Sequence, residues 1–196
     1  MRLILARHGN TFEKGEVPLQ IGARTNLPLT QYGINQAAMI AKYLKDQKIV
    51  PTAIFAGSLL RQTQSAEVVA KEFGQSYRYE KALNEIDYGP WEGLSAEEIE
   101  SRWPQEFIDW NSQGKWAEGI FGRSFEEHKL SMEKWFLELK KSNDQNGCIV
   151  AFTSNGLLRS FRSEKVKTGH FCEMELLHDS LQIKKWNISP FLSKIH

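Results

Sequence analysis

The amino-acid sequence predicts an α/β fold, a three-layer sandwich with a mainly parallel central sheet and helices on both faces. Three observations carry this expectation. Short apolar runs stand at residues 2–6, 53–56 and 148–152, each too brief for a helix. Stretches with apolar residues at helical spacing lie between them. The first and last of these runs end directly in polar loops, which gathers reactive side chains at strand C-terminal ends, where sheets of this type take ligands.

The elements follow in chain order. Arg2-Leu-Ile-Leu-Ala6 reads as a buried strand running into the loop Arg7-His-Gly-Asn-Thr11. Ile34, Ala37, Ala38, Ala41 and Leu44 form one helical face, with Thr30 as its N-cap and an end near Asp46. Ala53-Ile-Phe-Ala56 is the second strand, and Ser58 is the expected N-cap of a helix reaching about Phe73. Over residues 89–122, Trp91, Trp103, Trp110 and Trp116 are scattered among glycine, proline and charge, which predicts a helical or irregular insertion over the site. Ser95 with Glu98, and Ser124 with Glu127, match the spacing at which a hydroxyl and a carboxylate satisfy each other's free amides at a helix start. The second pair opens a helix to about Lys141. A strand at 148–152, the loop Thr153-Ser-Asn-Gly156, a short helix through Arg159 and two strands at 173–177 and 181–186 complete the pattern.

At 196 residues and 41% hydrophobic content, one substantial core is expected, hence one domain over 1–196. The 25 Lys and Arg nearly cancel the 24 Asp and Glu, so no overall field attracts nucleic acid or an anionic membrane, and an anion must be captured locally. The N-terminal apolar stretch is far shorter than a signal-peptide core or a membrane span. Cys148 and Cys172 sit in apolar runs without metal-type spacing and read as packing residues of a reducing compartment, so a cytoplasmic location is expected.

Four segments hold the chemistry: Arg7-His-Gly-Asn-Thr11, Ser58-Leu-Leu-Arg-Gln-Thr-Gln-Ser-Ala66, Leu83-Asn-Glu-Ile-Asp-Tyr-Gly-Pro-Trp-Glu-Gly93, and Thr153-Ser-Asn-Gly156 with Arg159. Imidazole is an unprotonated nucleophile near neutral pH, which makes His8 the candidate for phosphoryl transfer to a side chain. Guanidinium forks give paired donors and a charge that does not titrate away, which suits Arg7 and Arg61 to a phosphate dianion. Asn10 and Thr11 add amide, hydroxyl and backbone donors, and Gly9 lets the backbone come close.

In this order, with Leu29-Thr-Gln-Tyr-Gly-Ile-Asn-Gln-Ala37 and Gly122-Arg-Ser-Phe125, the segments resemble the histidine phosphatase superfamily, which includes the cofactor-dependent phosphoglycerate mutases. The resemblance covers nearly the whole chain and implies a phosphoglycerate mutase-like sandwich, a transient phosphohistidine at His8, no metal and no cofactor. It places the proton donor for the leaving group at Glu85, with Asp87 and Glu92 as nearby competitors. It also implies that Arg24, with Asn26, contacts substrate from a lid, while a solvated loop is the competing explanation.

One part of the family pattern is replaced. A second histidine normally follows the late strand; registering on Arg159 puts Ser154 there, and registering on the glycine puts Asn155 there. The first needs no deletion. Either side chain can donate a neutral hydrogen bond to phosphate, but neither brings positive charge, and losing one preorganised donor typically costs about 10²–10³ in rate. Of the other histidines, His128, His170 and His178 read as surface residues, with His170 closest to the expected strand ends. The tryptophans read as core and lid packing, since no basic groove accompanies them.

The expected activity is therefore metal-independent hydrolysis of a small phosphorylated metabolite through phospho-His8. The competing expectation is a degenerate member that binds a phosphorylated ligand or a protein partner without turnover. Mutase-type phosphotransfer ranks third, because the chain is short beside the mutases it resembles. Neither nucleic acid nor membrane is an expected partner, and the oligomeric state stays open.

Overall fold

Strand β1 (Arg2–Arg7) lies near the middle of a six-stranded sheet because it is apolar on both faces: Leu3, Ile4, Leu5 and Ala6 are wholly buried. In this computed structural model, which describes residues 1–142, 146–177 and 180–192, the other strands are β2 (Ala53–Ala56), β3 (Tyr77–Tyr79), β4 (Cys148–Thr153), β5 (Phe171–Leu176) and β6 (Leu181–Ile188). Their order across the sheet is β3-β2-β4-β1-β5-β6. The pairs β1·β4, β2·β4 and β2·β3 are parallel, whereas β1·β5 and β5·β6 are antiparallel. The sheet is thus mixed, parallel in the half that carries the candidate loops.

Period-two alternation divides the core cleanly. Leu3, Leu5, Phe55, Ile149 and Ala151 face α5 (Phe125–Ser142) and α6 (Asn155–Arg159), meeting Trp135, Leu139 and Leu157. Ile4, Ala6, Ile54, Val150 and Phe152 face α1 (Gln31–Asp46) and α2 (Leu60–Glu72), meeting Ile40, Leu44 and Val69. A third cluster, built on Trp91, Trp110 and Phe121, belongs to the segment that holds α3 (Ala96–Arg102) and α4 (Pro104–Gln113). Trp91 is wholly buried and Trp110 and Trp116 nearly so, which fits packing rather than base stacking.

The helix starts show how far local rules reach. Thr30 Oγ1 accepts from Gly33 N at 3.0 Å as the N-cap of α1. Ser95 and Glu98 exchange both capping-box bonds, and Ser124 and Glu127 do the same ahead of α5. Ser58, by contrast, does not cap α2. Its amide and hydroxyl both donate to Asn84 Oδ1, at 2.7 and 3.1 Å, and Leu59 takes the cap position. A contact across 26 residues outbids the local one.

Two further readings change. The short edge strand β3 was absent from the sequence pattern; Tyr77-Arg-Tyr79 is too brief and too exposed to leave a periodic trace. His128 is not a surface residue but wholly buried, stacked on Trp116 at 5.3 Å between ring centroids and in contact with Arg123 through Nδ1. Burial and that guanidinium push its pKa down to about 3. His178 lies outside the described residues. Among the described residues no helix is long and apolar enough to cross a membrane.

Candidate active site

The C-terminal ends of β1 and β4 lie side by side, with Arg7 opposite Thr153, and the chain beyond them borders a cavity of about 400 Å³. Arg7, His8, Asn10, Thr11, Glu85 and Asn155 line it. Phe107, Trp110 and Asn111 of α4 also line it. A larger groove of about 580 Å³ runs between α5 and β5–β6, but Met132, Phe136, Leu181 and Ile183 dominate it and none of the predicted site residues reaches it.

The loop after β1 is pinned from several sides. His8 N donates to Thr153 O, Gly9 N to Ser65 Oγ, and Asn10 N to Gln36 Oε1. A Cβ on Gly9 would overlap the Gly33 carbonyl at the start of α1, so glycine is required for backbone contact with that helix. The amides of Gly9 and Asn10 are already occupied by the bonds to Ser65 and Gln36. Asn10 Nδ2 in turn bonds Phe12 O. Thr11 is the residue of this loop whose donors face the cavity uncommitted among the described residues.

His8 is 3% exposed, and its Nδ1 lies 2.7 Å from Gly9 O. A carbonyl oxygen only accepts, so Nδ1 carries the proton and Nε2 holds the lone pair. Burial, then Arg61 and Arg7, drive the imidazole's pKa well below 6.5, with the Gly9 bond opposing them. The ring is neutral at pH 7.

The two arginines differ. Arg7 Nη1 donates to Val166 O at 2.7 Å, while its Nε is buried without a partner. Arg61 is wholly buried and is not a cavity-lining side chain. Its Nη1 donates to Thr25 O at 2.6 Å and its Nη2 to Gly22 O at 3.1 Å, which leaves only Nε unpartnered. Arg61 therefore acts on the site through its field and through the 22–25 loop it holds, with one nitrogen in reserve.

Glu85 has one oxygen 3.0 Å from Ile86 N and the other 3.3 Å from Gly156 N. Burial raises its pKa above the ordinary carboxylate value, against the pull of Arg61, these amides and Arg7. Asp87 and Glu92, its competitors, are committed to Arg24: Nε lies 3.1 Å from Asp87 Oδ1 and 3.6 Å from Glu92 Oε1. The Tyr88 hydroxyl stands beside Glu85, since a Cβ on Gly156 would collide with both. Burial and the Glu85 charge push that phenol well above 10, so it remains a donor.

Arg24 itself points elsewhere. More than half exposed, it holds Asp87, Glu92 and Gly89 O, and it is not part of the cavity wall. Asn26 accepts from Leu60 N at 2.7 Å, tying the same loop to α2.

Ser154 and Asn155 part company as well. Ser154 is wholly buried as the N-cap of α6, and its Oγ accepts from Gln62 Nε2 at 2.9 Å behind the cavity wall. Asn155 does line the cavity, with its Oδ1 accepting from Val166 N at 2.9 Å. Arg159 braces the insertion: its guanidinium lies 4.4 Å above the Trp110 ring and donates to Trp110 O and Asn111 O. His170 bonds Asn187 O through Nδ1 at 3.2 Å and lines no part of the cavity. The sequence pattern missed Gln62, Tyr88 and Lys165, of which the last two line the cavity.

A family model described as Histidine phosphatase superfamily (branch 1) matches residues 3–188. The chain belongs to this superfamily. It is 33% identical over 109 residues to a 2,3-bisphosphoglycerate-dependent phosphoglycerate mutase of Nitrobacter hamburgensis, covering 54% of this chain and 52% of that protein. It is 29% identical over 145 residues to a 6-phosphofructo-2-kinase/fructose-2,6-bisphosphatase of Gallus gallus, covering 72% of this chain and 28% of that one. The match thus spans about half the mutase and just over a quarter of the bifunctional protein. Among solved structures, the mycobacterial glucosyl-3-phosphoglycerate phosphatase in complex with VO3 superimposes with a TM-score of 0.83 at 20% identity, over 96% of this chain and 99% of that one. The α-ribazole phosphatase of Shigella flexneri gives 0.74 at 21%, over 96% and 97%. At such identities the likeness concerns the fold.

Proposed function

We propose that the protein hydrolyses a small phosphate monoester through a phosphohistidine at His8. The observation that carries the reading is the buried, neutral imidazole whose Nδ1 is committed to Gly9 O, which leaves the Nε2 lone pair as the nucleophile on a cavity lined by Arg7. Nε2 attacks phosphorus as the bond to the bridging oxygen breaks, and the protonated Glu85 gives its proton to that leaving oxygen. A water molecule then attacks the phosphohistidine, Glu85 takes up the water's proton, and inorganic phosphate departs with His8 restored. Arg7, Thr11 and Asn155 hold the phosphoryl oxygens, and Arg61 adds its charge from behind. Relatives named as phosphatases and mutases support this class of reaction, as do the vanadate and phosphate complexes of the mycobacterial phosphatase.

A second reading, binding without turnover, draws on Ser154. In the register set on Arg159 the family's second histidine falls on Ser154, which is neutral and bonded to Gln62 away from the cavity, whereas the register set on the glycine gives Asn155 on the cavity wall. One experiment separates the two readings. The purified chain and its His8→Ala variant are incubated with a panel of phosphate esters in chelator, and released phosphate is measured. Release by the parent and none by the variant supports hydrolysis through His8. Tight phosphate or vanadate binding with no release across the panel transfers the assignment to a binding protein, and phosphate recovered on an added hydroxyl acceptor rather than in water marks phosphotransfer.

A further inference from the structure

The cavity contains a cation that the reaction scheme above leaves unused. Lys165 lines it together with Arg7, His8 and Asn155, and its Nζ donates to Asn111 Oδ1 on α4 at 2.7 Å. Among the described residues no carboxylate lies within 4.0 Å of that ammonium, and its hydrogen bond is to a neutral amide. Its charged neighbours are Arg159 and Arg7, both of the same sign. Like charges gathered on a partly buried wall repel one another, an arrangement that an anion in the cavity would relieve.

The backbone ties Lys165 to the weakened side of the site. Val166, its neighbour, is wholly buried and bonded at both ends: its amide donates to Asn155 Oδ1 and its carbonyl accepts from Arg7 Nη1. Lys165 is thereby anchored between the residue at the start of α6 and the arginine at the end of β1. Arg7 Nε, buried and unpartnered, is a second, independent sign that an anion belongs here.

Resting on the phosphohistidine reading, we infer that Lys165 is a phosphate-binding residue, positioned by Asn111, that supplies the phosphoryl group with the positive charge that Ser154 and Asn155 cannot. A charged hydrogen bond of this kind is worth about tenfold to a hundredfold in affinity. A lysine has the reach and rotational freedom for the task, lacking the fork of an arginine but presenting three donors.

Inorganic phosphate is the probe, titrated calorimetrically into the full chain and into Lys165→Met, Lys165→Arg and Asn111→Ala. Lys165 is an exposed residue and Asn111 a half-buried one, so thermal unfolding midpoints close to the parent's are expected for the Lys165 variants and a small decrease at most for Asn111→Ala. Expected is a loss of affinity of about tenfold or more in Lys165→Met, retention within a few-fold in Lys165→Arg, and a smaller loss in Asn111→Ala. Unchanged affinity in Lys165→Met would overturn the assignment, as would an equal loss in Lys165→Arg, which would mark a packing effect. Failure of the parent itself to bind phosphate contradicts the phosphohistidine reading instead, so the two ideas fail by different results.

Discussion

The ends of β1 and β4 are adjacent, parallel and in register, yet they have opposite chemical characters. At the β1 end, polar capacity is left over: Arg7 Nε is buried without a partner, and the one imidazole bond fixes the tautomer that leaves Nε2 basic. At the β4 end, the Thr153 hydroxyl donates to Leu83 O, Ser154 Oγ accepts from Gln62, and Asn155 Oδ1 accepts from Val166 N. Buried polar groups are normally satisfied, and among the described residues Arg7 Nε is the one unpartnered buried atom that belongs to a cavity-lining side chain. Two strand ends in register thus differ in what they leave open: the β1 end keeps an unpartnered donor on a cavity-lining side chain, while at the β4 end only Asn155 reaches the cavity and its Oδ1 is already engaged.

The largest test of this contrast is the acid on the reactive side. Glu85→Gln is expected to lower kcat by about 10²–10⁴ on alkyl phosphates and far less on p-nitrophenyl phosphate, whose leaving group needs no proton. Equal losses on both substrates would show that Glu85 does not protonate the leaving oxygen.

Next comes an attempt to convert the scaffold side. Gln62 Nε2 donates to both Leu83 O and Ser154 Oγ, so a larger side chain at 154 would meet Gln62 first. Ser154→His combined with Gln62→Ala is expected to raise turnover by up to about 10²–10³, while Ser154→His by itself gains nothing and loses stability. No gain in a folded double variant would mean that the β4 end no longer addresses the phosphate.

A smaller effect falls on Gly156, where the β4 end packs against the 85–88 segment. A Cβ there would meet the Tyr88 hydroxyl and Glu85 Oε1, so Gly156→Ala should cost about 1–3 kcal/mol in denaturant unfolding and disturb the acid as well. The mildest change is in pH. The His8 pKa sits well below 6.5, so the nucleophile stays unprotonated as the pH falls through 6.5; Glu85 is raised above 4.5, so its acid form is lost as the pH rises past its own value. Expected, therefore, is a kcat/KM that holds or climbs as the pH drops through 6.5, and a decline there would mean an ordinary, solvated imidazole.

What was legible in the sequence follows the range of the interactions. Thr30 and both Ser/Glu capping pairs bond neighbours three residues away, which local spacing reports, and the buried strands show as short apolar runs although their ladder partners lie far off in sequence. Ser58 was misread because Asn84, 26 residues on, takes its amide and hydroxyl. For Arg61, residue type and spacing spoke for phosphate contact, yet two of its nitrogens go to carbonyls 36 and 39 residues away. Arg24 is held by Asp87 and Glu92, and Lys165 is brought to the cavity by Asn111, pairings that leave no local trace. Residue types located the site, while partners distant in sequence decided which of its side chains face the cavity.

Trapping decides whether the β1 end takes the phosphoryl group covalently. The protein is mixed with ³²P-labelled phosphate ester, quenched in alkali within the first turnover and mapped by mass spectrometry. Expected is an acid-labile, alkali-stable phosphate on His8 that is absent from His8→Ala; label elsewhere, or turnover with no labelled protein at any quench time, would rule out a phosphohistidine at His8.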